Sequence, residues 1–206
     1  MVYSSSAGIA ISIKGMEGGT LVPMTYEPDG LPEELAAKFP HLADKTVFTI
    51  PSEQTNLIPA MLRGQVGVMM TDAEGKLKDI TGLQTPGVID EFYSYDGDLG
   101  LVWNEGTPSF YLWAPTASFV TLMVYEDLDP LTQPIELPMR LDHDNGIWWY
   151  EGKPEWKGWF YRYAVDVYVP SEGQIVTNKV TDPYSVGLAM NSTHSLIVDL
   201  DDPALK

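Results

Sequence analysis

The chain has 206 residues, a hydrophobic content of 44%, no cysteine and a formal net charge of −17. Its length suits one large or two small domains, and its hydrophobic content is sufficient for packed cores. Disulfides and thiolate ligands are excluded. Because the chain has no cluster of Lys and Arg to hold a phosphate backbone, we expect no nucleic-acid partner. No apolar run approaches the ~20 residues of a membrane-spanning helix, so we expect no membrane partner.

The first 98 residues have the pattern of a small mixed α/β domain. Gly, Ser and Pro are frequent in the first ~30 residues, for which we expect loose order. Helices are predicted at 32–39, where Pro and acidic residues occupy the first turn, and at 56–63, which Gly64 ends. The β-branched and apolar runs predict strands at 46–50, 65–70 and 77–80.

The second part, residues 99–206, is predicted to be entirely β. All six Trp and 16 of the 23 aromatic residues lie beyond residue 100, after a turn-rich segment at 94–98, which places the domain boundary after residue 98. The predicted strands, rich in aromatic and β-branched residues and separated by turn sequences, lie at 110–113, 119–125, 135–137, 147–150, 160–169, 174–180 and 196–200. Seven short strands in about 100 residues indicate an immunoglobulin-like β-sandwich.

One motif in the second part mimics a calcium loop and is interpreted as a turn. Asp142, Asp144 and Asn145 have the spacing of its first ligands, but the position of the bidentate acid is occupied by Lys153. Asn145-Gly146 is itself a strong hairpin signal. The three histidines lack metal-ligand spacing. We therefore expect no metal site, no cofactor and no catalytic residue.

The strand at 160–169 alternates between two chemically different faces. The face that carries Tyr161 and Tyr163 is predicted to enter the core. The opposite face carries Phe160, Arg162, Ala164, Asp166 and Tyr168. Sugar rings stack on aromatic rings while their hydroxyls need polar partners, so this second face is a candidate carbohydrate platform. We expect Trp148, Trp156 and Trp159 to extend it. Alternatively, these aromatic residues fill the core or form a protein interface.

Several phrases along the chain resemble, in order, the N-terminal region of starch-debranching enzymes of glycoside hydrolase family 13, the pullulanases and limit dextrinases. Residues 39–44, 81–88 and 95–97 resemble their N-terminal domain. The phrases that resemble the family-48 carbohydrate-binding module lie at 110–117, 145–148, 160–168 and 181–185. The resemblance covers residues 31–206 and implies a domain at 1–98 and a carbohydrate-binding-module-like sandwich at 99–206.

The resemblance also implies a non-catalytic role for this region. Such enzymes hydrolyse α-1,6 linkages in pullulan, starch or limit dextrins with the carboxylates of a barrel, which would follow Lys206. The implied partners are α-glucan and that catalytic barrel; the alternative is a structural or protein-docking module without sugar binding.

The resemblance to these enzymes also implies roles for particular residues. Starch-binding members have a basic residue in the tyrosine-rich strand, matched by Arg162, and a Trp shortly before an Asp-Pro turn, where this chain has Lys179. The candidate carbohydrate-binding residues are Trp148, Trp156, Trp159, Arg162, Tyr168 and Lys179. The residues expected to be structural are Trp113, Pro115, Asp182, Pro183 and Tyr184, because proline fixes bends and an Asp can accept backbone N–H groups in a turn.

The N-terminus lacks the basic and apolar segments of a signal peptide. The plastid stroma and the bacterial cytoplasm are therefore the favoured compartments, and a secreted protein after removal of its leader also fits.

Overall fold

The computed structural model describes residues 1–205. Lys206, the last residue of the predicted second domain, lies outside the described residues. The chain folds into two compact units, Met1–Leu83 and a second that begins at Gln84. The segment 84–98 is thus grouped with the second unit, whereas the sequence-based boundary after residue 98 stays a prediction. No helix within the described residues is long and apolar enough to span a bilayer.

The first unit combines short strands with two α-helices. Its strands are β1 Val2–Ser4, β2 Ala10–Ser12, β3 Gly15–Glu17, β4 Thr20–Leu21, β5 Thr25–Glu27, β6 Val47–Thr49, β7 Gln65–Thr71 and β8 Leu77–Gly82. Its helices are α1 Glu33–Lys38 and α2 Ile58–Leu62, with 3-10 turns at Pro40–Leu42 and Ser52–Leu57. One antiparallel sheet has the order β4-β1-β7-β8, and two further pairs join β2 to β3 and β5 to β6.

The predicted elements between 32 and 80 are largely confirmed in this unit. The helix at 32–39 corresponds to α1, and the three predicted strands correspond to β6, β7 and β8. The helix predicted at 56–63 is shorter than expected, because a 3-10 turn precedes α2 and Pro59 lacks the N–H that a longer α-helix would use.

The first ~30 residues contain strands rather than the loosely ordered chain that their composition suggests. The five strands β1 to β5 lie in this stretch. Met1, Val2 and Val22 are buried, and the amino group of Met1 donates a hydrogen bond to the Val22 carbonyl oxygen at 2.7 Å. Several of the Gly residues here form tight turns with positive φ between these short strands.

The second unit is a β-sandwich preceded by one helix. Its strands are β9 Gly100–Asn104, β10 Thr107–Trp113, β11 Ala117–Tyr125, β12 Ile135–Pro138, β13 Arg140–Asp142, β14 Ile147–Glu151, β15 Phe160–Val169, β16 Gln174–Val180 and β17 Ser195–Leu196. The helix is α3 Pro86–Phe92, and 3-10 turns lie at Pro154–Trp156, Met190–Ser192 and Pro203–Leu205. One sheet has the order β13-β14-β10-β9 and the other the order β12-β11-β15-β16, with β17 paired to β15. The predicted mainly β, immunoglobulin-like architecture is confirmed.

The core of this unit lies between the two sheets. Phe110 of β10 and Tyr161 of β15 are both fully buried, and their rings meet edge to face with centroids 4.9 Å apart. The alternation predicted for β15 is confirmed on its inner face, since Tyr161 and Tyr163 are both 0% exposed. The strand predicted at 196–200 is shorter than expected: β17 ends at Leu196, opposite Phe160, where its partner β15 begins. Beyond it, the Val198 carbonyl oxygen accepts the Trp103 indole N–H at 2.9 Å.

Candidate functional site

Two of the predicted sugar-binding tryptophans belong to the core. Trp148 is 4% exposed, and its indole N–H donates to the Ala114 carbonyl oxygen at 3.0 Å. Trp156 is 3% exposed, and its ring stacks on Tyr150 with centroids 6.3 Å apart. Burial leaves neither ring a free face for a sugar, so both are removed from the candidate site.

Trp159 packs toward the core, and Tyr168 stands apart from Arg162. Trp159 is half-buried and packs against the core cluster. Tyr168 is half-buried on the outer face of β15, opposite Ile175 of β16. Because Tyr168 lies six residues along the strand from Arg162, the two are about 20 Å apart at the usual strand rise. The predicted platform is therefore an extended strip, with its polar centre at Arg162.

Arg162 is the centre of a small polar surface on the outer face of the sheet β12-β11-β15-β16. It pairs with Met123 of β11, and its Nη2 donates to the Lys179 carbonyl oxygen at 2.6 Å. Lys179 thus contributes its backbone, while its side chain is exposed. The Nε of Arg162 is buried and has no hydrogen-bond partner within residues 1–205. A guanidinium carries five N–H donors, and because Nε is shielded from solvent, those open to a ligand belong to the Nη groups at the exposed end of the side chain.

Two aromatic side chains that the sequence analysis missed lie near this guanidinium. The rings of Tyr125 and His194 meet edge to face with centroids 4.7 Å apart. Burial and then the charge of Arg162 lower the pKa of His194, which favours the neutral imidazole. Burial raises the pKa of Tyr125, so its phenol stays protonated. We name Tyr125, Arg162, Lys179 and His194 the Arg162 surface.

The alternation of strand 119–125 could have placed Tyr125 on this face, because Tyr125 pairs directly with Phe160 of β15. His194 follows the 3-10 turn Met190–Ser192, where no periodicity in the sequence signals which way a side chain points. The sequence therefore indicated the strand residues of this surface but not the loop residue.

Asp182 forms a buried polar junction behind the tyrosine-rich strand. Its Oδ2 accepts hydrogen bonds from the hydroxyls of Tyr161 at 2.8 Å and Tyr163 at 3.2 Å. Its Oδ1 accepts the Tyr184 backbone N–H at 2.8 Å, and its own N–H donates to Ser195 Oγ at 3.0 Å. The carboxylate is thus fully used by the scaffold and is not free for a ligand.

The other residues expected to be structural occupy varied environments. Trp113 is half-buried and donates its indole N–H to the Tyr93 carbonyl oxygen at 2.9 Å. Pro115 is buried between β10 and β11. Pro183 is exposed, and Tyr184 is 49% exposed, so Tyr184 fixes the turn through its backbone rather than by burying its ring.

The Asp142 motif is a hairpin turn between β13 and β14. The Asp142 carboxylate accepts the Asp144 backbone N–H at 3.0 Å and the Asn145 side-chain amide at 2.8 Å. Gly146 closes the turn with a φ of 68°. Among the residues that the structure describes, no group of three or more His, Asp and Glu side chains is placed to hold a metal ion.

Comparison with protein families assigns both units. Residues 1–91 match the family model of the Pullulanase N2 domain. Residues 98–185 match the model of carbohydrate-binding module 48, described as the isoamylase N-terminal domain.

Individual relatives agree with this assignment. The chain is 38% identical over 98% of its length to pullulanase 1 of Arabidopsis thaliana chloroplasts, and 32% identical over its whole length to a pullulanase of Klebsiella pneumoniae. It spans only 21% and 19% of those two proteins. A maltotriose complex of PulA from Klebsiella pneumoniae superposes over 100% of this chain and 22% of that chain, with a TM-score of 0.88 and 32% identity.

These matches cover non-catalytic domains of pullulanases, which confirms the resemblance inferred from the sequence. The chain belongs to the pullulanase family and corresponds to the N-terminal region of its members, a Pullulanase N2 domain followed by a family-48 carbohydrate-binding module.

Proposed function

We propose that this region binds α-glucan through the Arg162 surface. The observation that carries the proposal is the exposed Nη end of the Arg162 guanidinium beside the edge-to-face pair of Tyr125 and His194. Sugar hydroxyls can accept its free N–H groups, and the C–H face of a pyranose can pack on an aromatic ring. Support comes from the match to a carbohydrate-binding module and from the maltotriose bound to related pullulanases.

The electrostatics of the chain agree with a neutral ligand. The net charge of −17 would repel anions, whereas a glucan carries no charge. We further propose that these domains serve a debranching enzyme that hydrolyses α-1,6-glucosidic linkages in pullulan, starch or limit dextrins. In that setting, this region would support the catalytic barrel and hold glucan chains near it.

Isothermal titration calorimetry with maltoheptaose and β-cyclodextrin tests glucan binding. Hydrogen bonds from a charged group contribute about 1.5–3 kcal/mol, so Arg162→Ala should weaken binding by roughly 10- to 100-fold. Lys45→Ala is the control, because Lys45 is an exposed cation of the first unit. The proposal fails if wild type releases no heat at millimolar ligand, or if Arg162→Ala binds as tightly as Lys45→Ala.

A second function, protein docking, is favoured by a different observation. Alternate residues of the segment 184–190 expose large apolar side chains, namely Tyr184 at 49%, Val186 at 63%, Leu188 at 50% and Met190 at 84%. Contiguous exposed apolar residues mark interaction surfaces. We propose the catalytic barrel of the whole enzyme as the partner of this stripe.

The docking function is tested in the whole enzyme. Val186→Ser combined with Leu188→Ser should lower the thermal stability of the enzyme while leaving the midpoint of the isolated region unchanged. Equal effects in both contexts would contradict docking. If docking is the only function, Trp159→Ala and Arg162→Ala leave glucan binding unchanged.

A further inference from the structure

A concave site lies on the outward face of the sheet β13-β14-β10-β9, on the side of the sandwich away from the Arg162 surface. Its volume is about 230 Å³, and it is lined by Tyr95, Tyr111, Asp142, Ile147 and Trp149. Tyr111 and Trp149 are direct cross-strand partners, as are Asp142 and Ile147. Four of the five lining residues therefore project from paired strands, which hold their spacing, and Tyr95 adds a wall from the segment before β9.

The lining combines flat aromatic rings with one oriented carboxylate. Asp142 accepts hydrogen bonds from the Asn145 amide and the Asp144 N–H, and these two contacts lower the pKa of its carboxyl group. A carboxylate has about four lone-pair sites, so two bonds leave it able to accept further donors. The guanidinium of Arg140, which is not a lining residue, lies 5.2 Å from the centroid of the Trp149 ring.

We propose that this pocket binds one pyranose ring of an α-glucan, as a second sugar site independent of the Arg162 surface. Pockets for drug-sized ligands measure about 300–1,000 Å³, so a volume of about 230 Å³ suits a single ring rather than a longer chain segment. The ring would pack its C–H face on Tyr111 or Tyr95 and donate a hydroxyl to Asp142, a charge-assisted hydrogen bond.

An organic cation is the competing ligand, because aromatic rings with a nearby carboxylate also bind ammonium groups. Arg140 argues against it. Its guanidinium already lies over the Trp149 ring, so that ring is occupied by a cation of the protein itself. Asp96 and Asp98 near Tyr95, by contrast, favour a cationic ligand, and a titration with choline therefore tests this alternative. A neutral hydroxylated ring needs no charge partner and can donate a hydroxyl to Asp142.

NMR titration of the whole chain with maltose resolves the two sites. The indole N–H signal of Trp149, assigned with Trp149→Phe, reports the pocket, and the Nε–H signal of Arg162 reports the other surface. For so small a ligand, we expect the Trp149 signal to shift with a dissociation constant on the order of 1–10 mM. Tyr95→Ala should weaken this binding about fivefold by removing one ring. The control Tyr26→Ala removes a tyrosine that is 56% exposed in the first unit and should change nothing.

Three results would overturn the pocket proposal. The first is a Trp149 signal that moves with neither maltose nor choline. The second is a Trp149 signal that moves with choline and not with maltose, which would make the pocket a cation site. The third is a maltose-dependent shift that disappears in Arg162→Ala and persists in Tyr95→Ala. The function proposed for the Arg162 surface fails separately, when the Arg162 signal is unmoved by glucan whatever the Trp149 signal does.

Discussion

Asp182→Ala should be among the most destabilising single changes in the sandwich. The substitution removes the acceptor of two phenol hydroxyls, and the tyrosines that carry them, Tyr161 and Tyr163, are both 0% exposed. A buried donor left without a partner costs about 1–3 kcal/mol, so two cost about 2–6 kcal/mol. Burial raises the pKa of the Asp182 carboxyl group, because burial disfavours its charged form. The substitution removes this desolvation penalty, so we expect a net loss of about 3 kcal/mol in the free energy of unfolding. A domain is stable by about 5–15 kcal/mol, so the loss is large.

Urea unfolding monitored by tryptophan fluorescence measures this effect. All six Trp lie beyond residue 100, so the signal reports the second unit alone. The matched control is Asp201→Ala, an exposed carboxylate whose removal should change the free energy of unfolding by less than about 0.5 kcal/mol.

A thermodynamic cycle separates the hydrogen bonds from other effects. When Tyr161 and Tyr163 are first changed to Phe, the same Asp182→Ala change should cost only about 1 kcal/mol, because the part-buried Tyr184 N–H is then the donor that loses its acceptor and the two buried phenols no longer contribute. The reasoning is refuted if Asp182→Ala costs less than about 1 kcal/mol in the wild-type chain, or costs the same in the Phe background.

Three further predictions concern the same unit. Tyr93→Phe should leave stability unchanged or raise it by up to about 1 kcal/mol, since the Tyr93 hydroxyl is buried without a partner among the described residues; a loss above about 1 kcal/mol would reveal a hidden bond. Gly146→Ala should lower the free energy of unfolding, measured in urea, by about 2–4 kcal/mol, because Gly146 has a φ of 68° and a Cβ there would lie 2.6 Å from the Cβ of Pro115. The pKa of His194 is lowered in the folded state, so folding favours the neutral imidazole. The stability that His194 contributes is therefore complete above the unfolded pKa of about 6.5 and is lost as the pH falls through the folded pKa. His194→Gln should flatten the pH dependence of the free energy of unfolding in that range, and an unchanged pH dependence would contradict the lowered pKa of His194.

The strands of the sandwich could be predicted because their residues repeat with the period of a β-strand. Tyr161 and Tyr163 enter the core as the alternation of strand 160–169 requires, and Arg162 faces outward between them. The short strands of the first ~30 residues could not be predicted, because strands of two or three residues are too short to show a periodicity.

The candidate site was only partly predictable for a related reason. Trp148 and Trp149 are adjacent, so one must face inward and the other outward, and the sequence does not say which. The register settles it, since Trp148 pairs with Leu112 in the core and Trp149 pairs with Tyr111 outside. His194 and Tyr95 come from segments between strands, where no repeat reports orientation.

The most direct measurement of the central claim is the Nε–H signal of Arg162 during titration with maltoheptaose. This nitrogen is buried within residues 1–205, but it belongs to the guanidinium whose Nη2 lies at the exposed end of the side chain, so a glucan bound to that end should produce a saturable shift of the Nε–H signal. We predict that shift, with a midpoint equal to the calorimetric dissociation constant. If maltoheptaose leaves the Arg162 signal unmoved at millimolar concentration, the Arg162 surface does not bind α-glucan.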